Sequence, residues 1–163
     1  MAFGGPFSLV DQHGRRRSDT DFHGSWLLIE FGYTACPDLC PLGLETMAAA
    51  LEALGPSAQR VQPLFITIDP ARDTPAALAS FIAAFDPRLI ALSGSEAETQ
   101  AVTKAYRVHR RKVILDPANR DDYLIDHGSF TYLMGPDGRF VTLFPYGTDA
   151  PRMTQVLAGY LGG

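Results

Sequence analysis

Residues 26–54 read WLLIEFGYTACPDLCPLGLETMAAALEAL, and this stretch decides the fold. It begins with a nearly continuous apolar run at residues 26–31, the pattern of a strand buried on both faces of a central sheet. A short segment that contains both cysteines follows the run. At residues 41–54 the apolar side chains recur at helical spacing, and Gly55 and Pro56 end the pattern. The stretch therefore predicts a buried strand, a cysteine loop and a helix.

The same alternation of strand and helix continues downstream. Residues 61–68 form a second apolar run, and Thr74 followed by Pro75 is a typical start for a helix, which we expect to reach Phe85. Residues 89–92 predict a short strand. Ser95 and Glu98 then have capping-box spacing for a third helix that ends near residue 105.

Hairpins and a last helix are predicted at the two ends of the chain. Residues 7–10 and 15–17 are extended segments around an Asp- and Gly-containing turn, which indicates an N-terminal β-hairpin. Residues 130–134 and 139–144 flank the turn sequence GPDG, and residues 149–161 have the pattern of an amphipathic helix. The order predicts an α/β fold of the thioredoxin-like type, with a central mixed sheet flanked by helices.

Length and composition narrow the class of protein. The chain has 163 residues, 46% of them hydrophobic, so we expect a single domain over residues 1–163. The formal net charge of −4 and the scattered basic residues give no broad face for nucleic acid. No apolar run is long enough to cross a membrane, and the first residues lack the pattern of a signal peptide. The possibility of an anchor or signal upstream of this sequence stays open.

The chemistry is expected at the two cysteines, Cys36 and Cys40, which are the only ones in the chain. Their spacing at the start of a helix lets the two sulfurs face one another. The helix dipole and the free amide groups there favour the thiolate, which binds metals and attacks disulfides. The alternative is a pair of buried or passively bridged cysteines.

Two thiolates and one imidazole suit copper(I), whereas structural zinc usually takes four protein ligands. We expect the imidazole to be that of His127, which follows an extended segment in a loop that can lean over the cysteine end of the sheet. The alternative is that His127 caps a turn together with Asp126. The other three histidines are in a turn, a polar loop and a basic run and are expected to be solvated: His13, His23 and His109.

Three motifs in this order resemble the Sco/SenC proteins. The first is FGYTACPDLCP at residues 31–41, the second is IDPARDTP at residues 68–75, and the third is Asp126-His127 followed by Tyr-Leu at residues 132–133. The resemblance extends over nearly the whole chain. It implies a thioredoxin-like fold, one copper ion bound by Cys36, Cys40 and His127, and a role in building the binuclear copper site of cytochrome c oxidase.

The resemblance also sets expectations about partners and location. The partner would be the copper-accepting subunit of cytochrome c oxidase or another copper chaperone. Sco/SenC proteins are usually tethered to a membrane, so we expect the bacterial periplasm, with the mitochondrial intermembrane space as the alternative. The expected anchor is not within this sequence, and Gly128 stands where a small hydroxyl residue is common.

Two carboxylates are expected near the ligands. Asp69 and Asp126 follow predicted extended segments and are candidates to orient His127 or to screen the metal, because a nearby acceptor commonly fixes a ligand imidazole. For Asp69 the alternative is a cap on its own loop. Arg72 and Asp73 are expected to form a local ion pair.

The favoured mechanism is ligand exchange. A copper ion held by three ligands is undersaturated, so the ligands of a partner can replace them one at a time. Copper(I) is favoured, and copper(II) also has ligands here, although a dithiolate site can reduce it and form a disulfide.

Two other functions use the same sulfurs, so enzyme activity stays open. A thiol-disulfide oxidoreductase would use Cys36 as the attacking thiolate and Cys40 as the resolving thiol. A peroxidase is the third hypothesis and ranks last, since the threonine is two residues before Cys36 and peroxiredoxins place it three before.

Overall fold

The computed structural model describes residues 3–35, 39–127 and 130–162, except for the side chains of Leu39, Cys40 and Asp126. It contains nine strands and four α-helices within these ranges. The strands are β1 Ser8–Asp11, β2 Arg16–Ser18, β3 Trp26–Gly32, β4 Val61–Thr67, β5 Ile90–Ser93, β6 Arg110–Asp116, β7 Asn119–His127, β8 Phe130–Met134 and β9 Phe140–Pro145. The helices are α1 Leu39–Leu54, α2 Pro75–Ile82, α3 Glu96–Ala105 and α4 Ala150–Leu161.

Seven strands form one mixed sheet in the order β2-β1-β5-β4-β3-β8-β9. The central strands β5, β4 and β3 are parallel, and the outer strands pair antiparallel. This arrangement follows in part from the sequence, because helices α1 and α2 connect the parallel strands and tight turns connect β1 to β2 and β8 to β9. The predicted mixed sheet flanked by helices is confirmed.

The core lies on both faces of β3 and β4. Every residue of β3 after Trp26 is buried, which explains why the apolar run shows almost no alternation. Helix α1 packs on the sheet and against α4, and both helices turn their apolar side chains inward. The largest fully buried side chains include three tyrosines of this core, which are Tyr33, Tyr106 and Tyr132.

Helix starts agree with the sequence signals. The Thr74 hydroxyl accepts a hydrogen bond from the Ala77 amide at the start of α2. Ser95 and Glu98 form the predicted capping box of α3, in which each side chain accepts from the other residue's amide. Helix α2 ends at Ile82, before the predicted end at Phe85. None of the helices in the described ranges is both long and apolar enough to cross a membrane.

A two-stranded antiparallel ribbon of β6 and β7 is the element that the sequence did not predict as a unit. No residue of β6 is buried, and of the described side chains of β7 only Tyr123 and Ile125 are buried. The apolar alternation that marks a half-buried strand is therefore too short to predict the pair. The ribbon pairs with itself outside the main sheet. His127 is its last residue and lies opposite Arg110, whereas the sequence suggested a loop position for this histidine.

Candidate metal centre

Four chain segments meet at one edge of the main sheet. β3 and β4 are parallel and end side by side, with Gly32 opposite Thr67. The cysteine segment leaves β3 at this edge, and the ribbon ends here at His127, three residues before Phe130, where β8 begins. The carboxyl ends of parallel strands are where open α/β sheets usually place their binding sites.

Asp73 ties the start of the cysteine segment to the end of β4. Its side chain is 1% exposed. The carboxylate accepts hydrogen bonds from the Thr34 amide at 3.0 Å and the Thr34 hydroxyl at 2.6 Å. It also accepts one from the Thr67 hydroxyl at 2.7 Å. The backbone two residues before Cys36 is therefore held by a buried carboxylate from the neighbouring loop.

Tyr33 holds the end of the ribbon that carries His127. Its hydroxyl accepts a hydrogen bond of 3.0 Å from the Ile125 amide. Its ring meets the His127 ring edge to face, with the centroids 5.8 Å apart and the planes at 76°. Because Tyr33 directly follows β3, one buried side chain joins the end of β3 to the ribbon end that carries the imidazole.

Asp69 connects the β4 end to the same ribbon. The Tyr123 hydroxyl donates to one carboxylate oxygen at 2.7 Å, and Arg72 Nε donates to the other at 2.5 Å. The Arg72 guanidinium lies over the Tyr123 ring, 3.6 Å from its centroid. Arg72 thus pairs with Asp69, whereas the sequence suggested Asp73, whose oxygens accept from the two threonines.

Burial and the hydrogen bond to Asp69 raise the pKa of Tyr123 to about 12. Burial lowers the pKa of Arg72, but the hydrogen bond and charge of Asp69 outweigh it, so the pKa of Arg72 is raised. The Tyr123 hydroxyl therefore stays a donor to Asp69 through the neutral pH range, and the Arg72 guanidinium stays charged.

Arg110 fastens the first strand of the ribbon. Its Nε donates to the Ile68 carbonyl at 2.7 Å, and its two terminal nitrogens donate to the Glu96 carboxylate at 2.7 and 2.9 Å. The hydrogen bonds from Arg110 lower the pKa of Glu96. Bidentate arginine pairs of this kind fix geometry as well as contributing energy. Since Arg110 lies opposite His127, the pair stabilises the ribbon beside the imidazole.

The predicted ligands are only partly within the described ranges. Cys36 lies outside them, as do the side chains of Cys40 and Asp126. The backbone of Cys40 is in the first turn of α1. His127 is partly buried, and its imidazole lines a cavity together with Leu42 and Gly43, which follow Cys40 in α1. In the part of the chain whose side chains are described, no three metal-ligating side chains cluster, so the predicted trio stays a prediction.

Sequence reasoning missed the roles of three buried side chains: Tyr33, Asp73 and Tyr123. Tyr33 is inside the first motif, and its place directly after a buried strand was a usable signal. Asp73 follows Arg72 in the second motif. Adjacent opposite charges suggest an ion pair, so the sequence offered no reason to expect that Asp73 accepts hydrogen bonds from Thr34 and Thr67. Nothing in the sequence links Tyr123 to Asp69, since 54 residues separate them.

The mixed sheet, with a cysteine segment between its central strand and first helix, defines a thioredoxin-like protein. The SCO1/SenC family model matches residues 1–162. The chain belongs to this family.

Individual relatives agree with the family model. "Protein sco1" of Schizosaccharomyces pombe is 41% identical over 159 residues, covering 96% of this chain and 60% of that protein. "Protein SCO1 homolog, mitochondrial" of Mus musculus is 45% identical over 161 residues, covering 97% of this chain and 56% of that protein. The chain thus spans somewhat over half of the length of these relatives.

A solved structure also matches nearly end to end. The structure of Bradyrhizobium japonicum ScoI with copper bound superimposes with a TM-score of 0.88 and 43% sequence identity. The match covers 98% of this chain and 99% of that one. The predicted thioredoxin-like fold and the Sco/SenC resemblance are confirmed.

Proposed function

We propose that the chain carries one copper ion on Cys36, Cys40 and His127 and delivers it to the binuclear copper site of cytochrome c oxidase. One observation carries the proposal. Tyr33 joins the strand that leads into the cysteine segment to the ribbon end that carries His127, through a hydrogen bond and a ring contact. His127 and the first turns of α1 also line the same cavity.

The chemistry of the donor set favours copper(I). Two thiolates and one imidazole are soft and borderline ligands, and three of them leave the ion open to a further ligand. Cys40 is in the first turn of α1, and the dipole at a helix start favours a thiolate. Ligands of the accepting protein then replace these three stepwise, and the ion is never released to water.

Relatives support copper as the cargo. The Bradyrhizobium japonicum ScoI structure has copper bound, and yeast Sco1, 34% identical to this chain with a TM-score of 0.90, also has a copper-bound structure. The accepting subunit of cytochrome c oxidase is the partner we propose, with another copper chaperone as the alternative. We place the protein in the bacterial periplasm on a membrane anchor; the mouse relative, named mitochondrial, supports the intermembrane space as the alternative.

A thiol-disulfide reductase is the second candidate, because Cys36 and Cys40 are the only cysteines. The Cys36 thiolate would attack a partner disulfide and form a mixed disulfide, releasing one partner thiolate. Cys40 would then attack the Cys36 sulfur, which releases the second partner thiolate and leaves the Cys36–Cys40 disulfide. The partner gains two electrons and the dithiol loses them.

Copper(I) titration of the fully reduced protein against a competing chelator tests the proposal. We expect one-to-one binding that weakens by more than about tenfold in His127→Ala, since removing an outer-shell partner alone costs about that much. Binding should be lost in Cys36→Ser and in Cys40→Ser. His13→Ala is the matched control, because His13 is an exposed residue in the β1–β2 turn. Unchanged affinity in His127→Ala would remove this residue from the site.

Oxidation separates the two candidates. The oxidised protein should load copper(I) only after reduction, because a disulfide offers no thiolate. Rapid reduction of a disulfide substrate by a protein that does not bind copper(I) would instead establish the reductase.

A further inference from the structure

A cavity of about 310 Å³ extends from His127 into the space between the sheet, α1 and the start of α4. Phe144 and Met153 form apolar walls, and Glu30 supplies the carboxylate. This volume is at the lower end of small-ligand pockets, so it suits one long side chain better than a folded segment. The cavity adjoins the proposed copper ligand His127. Neither copper binding nor disulfide reduction, as proposed above, uses the part of the cavity beside Glu30.

Glu30 is an unusual residue for its position. It is in the central strand β3, paired with Phe65 on one side and Thr131 on the other, and it is 8% exposed. Charged side chains are rarely buried so deeply without a role. Its carboxylate lies directly against Gly43 of α1, where an added Cβ would overlap it. The absence of a side chain at Gly43 therefore leaves room for the Glu30 carboxylate between β3 and α1.

The mouth of the cavity is apolar and open. Leu42 is 50% exposed, Phe130 42% and Tyr146 61%. These are three of the five large hydrophobic side chains that are exposed in the described ranges, and all three line this cavity. Clustered exposed hydrophobic groups mark interaction surfaces more often than scattered ones do.

We propose that this cavity takes a lysine or arginine side chain of the protein that accepts the copper, an inference that rests on the proposed function. An aliphatic stem with a cationic end matches apolar walls and a carboxylate. Asp149, which also lines the cavity, adds a second negative charge near the mouth. The partner's basic residue is therefore expected to be close to its copper ligands.

Docking of this kind would assist ligand exchange. His127 and Glu30 line the same cavity, so a side chain held by Glu30 keeps its own chain beside the imidazole. Anchoring raises the effective concentration of the incoming ligands, because their binding becomes an intramolecular step. The acidic cavity would also discriminate against partners with an acid or a bulky neutral side chain at this place.

Two small probes test the charge preference. n-Butylguanidinium imitates an arginine side chain, and n-butylurea has almost the same shape without the charge. We would titrate each into the reduced, metal-free protein and follow the backbone amide signals of Gly43, Thr46 and Thr148 by nuclear magnetic resonance. Butylguanidinium should bind with a Kd on the order of 10 mM, as expected for so small a ligand, and butylurea at least tenfold more weakly.

Variants test the residues. Glu30→Gln should bring the affinity for butylguanidinium down to that for butylurea, whereas Glu45→Gln, at an exposed position of α1, should change nothing. Tyr146→Ser removes an exposed apolar group at the mouth and should weaken both probes several-fold. Since Tyr146 is on the surface, this variant keeps the fold even if Glu30→Gln does not.

Equal binding of the two probes to the wild type would overturn the proposal, as would shifts confined to another surface. So would a Glu30→Gln protein that folds and still prefers the cation. Copper(I) titration of the same samples separates this result from the fate of the proposed function. If wild-type protein binds copper(I) but shows no preference between the probes, the proposed docking of a basic side chain is refuted and the proposed copper binding is not.

Discussion

Replacing Asp73 by alanine should destabilise the protein and loosen the segment that leads to the cysteines. The buried carboxylate accepts three hydrogen bonds, two from Thr34 and one from Thr67. Alanine offers no acceptor, so three donors lose their partner at once. Thr34 is two residues before Cys36, which connects this stability effect to the proposed copper site.

The size of the effect follows from the burial of these donors. A buried donor left without an acceptor costs about 1–3 kcal/mol. The Thr67 donor is buried, whereas Thr34 is partly buried and can turn toward water. We therefore expect a total loss of about 3 kcal/mol in the free energy of unfolding. For a chain of this length that lowers Tm by roughly 6–12 °C.

Urea unfolding of the reduced, metal-free protein measures this loss, with Asp122→Ala on the exposed ribbon as the matched control. A double-mutant cycle with Thr34→Val isolates one hydrogen bond and should give a coupling of about 1–2 kcal/mol. Copper(I) affinity should fall as well, because binding must then order the loosened segment. A change below about 0.5 kcal/mol in Asp73→Ala, the range of ordinary surface substitutions, would refute this reasoning.

Three further substitutions test other parts of the fold. Since the pKa of folded Tyr123 is raised to about 12 from 10.0, its contribution is complete below pH 10 and is lost as the pH rises toward 12. From pH 10 to pH 12 the free energy of unfolding should therefore fall by about 2 kcal/mol more in wild type than in Tyr123→Phe. Urea unfolding at each pH measures this difference. Gly43→Ala should stabilise α1 by about 0.5–1 kcal/mol in a Glu30→Ala background and by less in wild type, where the new methyl group meets the carboxylate; equal effects would contradict the close contact. Ser95→Ala should cost about 1 kcal/mol through the lost cap of α3, read from chemical unfolding, and leave copper(I) affinity unchanged.

The sequence predicted most of the main sheet because its elements carry strong local signals. The buried runs at β3 and β4, the capping box at Ser95 and the hairpin turn between β8 and β9 are each specified within a few residues. The β6–β7 ribbon was missed as a unit because no residue of β6 is buried and the buried face of β7 consists, among its described side chains, of Tyr123 and Ile125 alone, which is too short a pattern. Helix α2 was predicted three residues too long, to Phe85, since apolar residues continue past Ile82 while the backbone already turns.

The sequence by itself determined the class of the fold, the family resemblance and the expected ligands, because strand and helix periodicity and short motifs are local properties of the chain. Only the tertiary structure decided which distant groups meet. It paired Asp69 with Tyr123 across 54 residues, Asp73 with Thr34 across 39, and brought His127 against Tyr33. It also placed Glu30 and Gly43 in contact. Contacts of this kind depend on how separate elements pack, and the packing minimises the free energy of the whole chain, so no single segment encodes them.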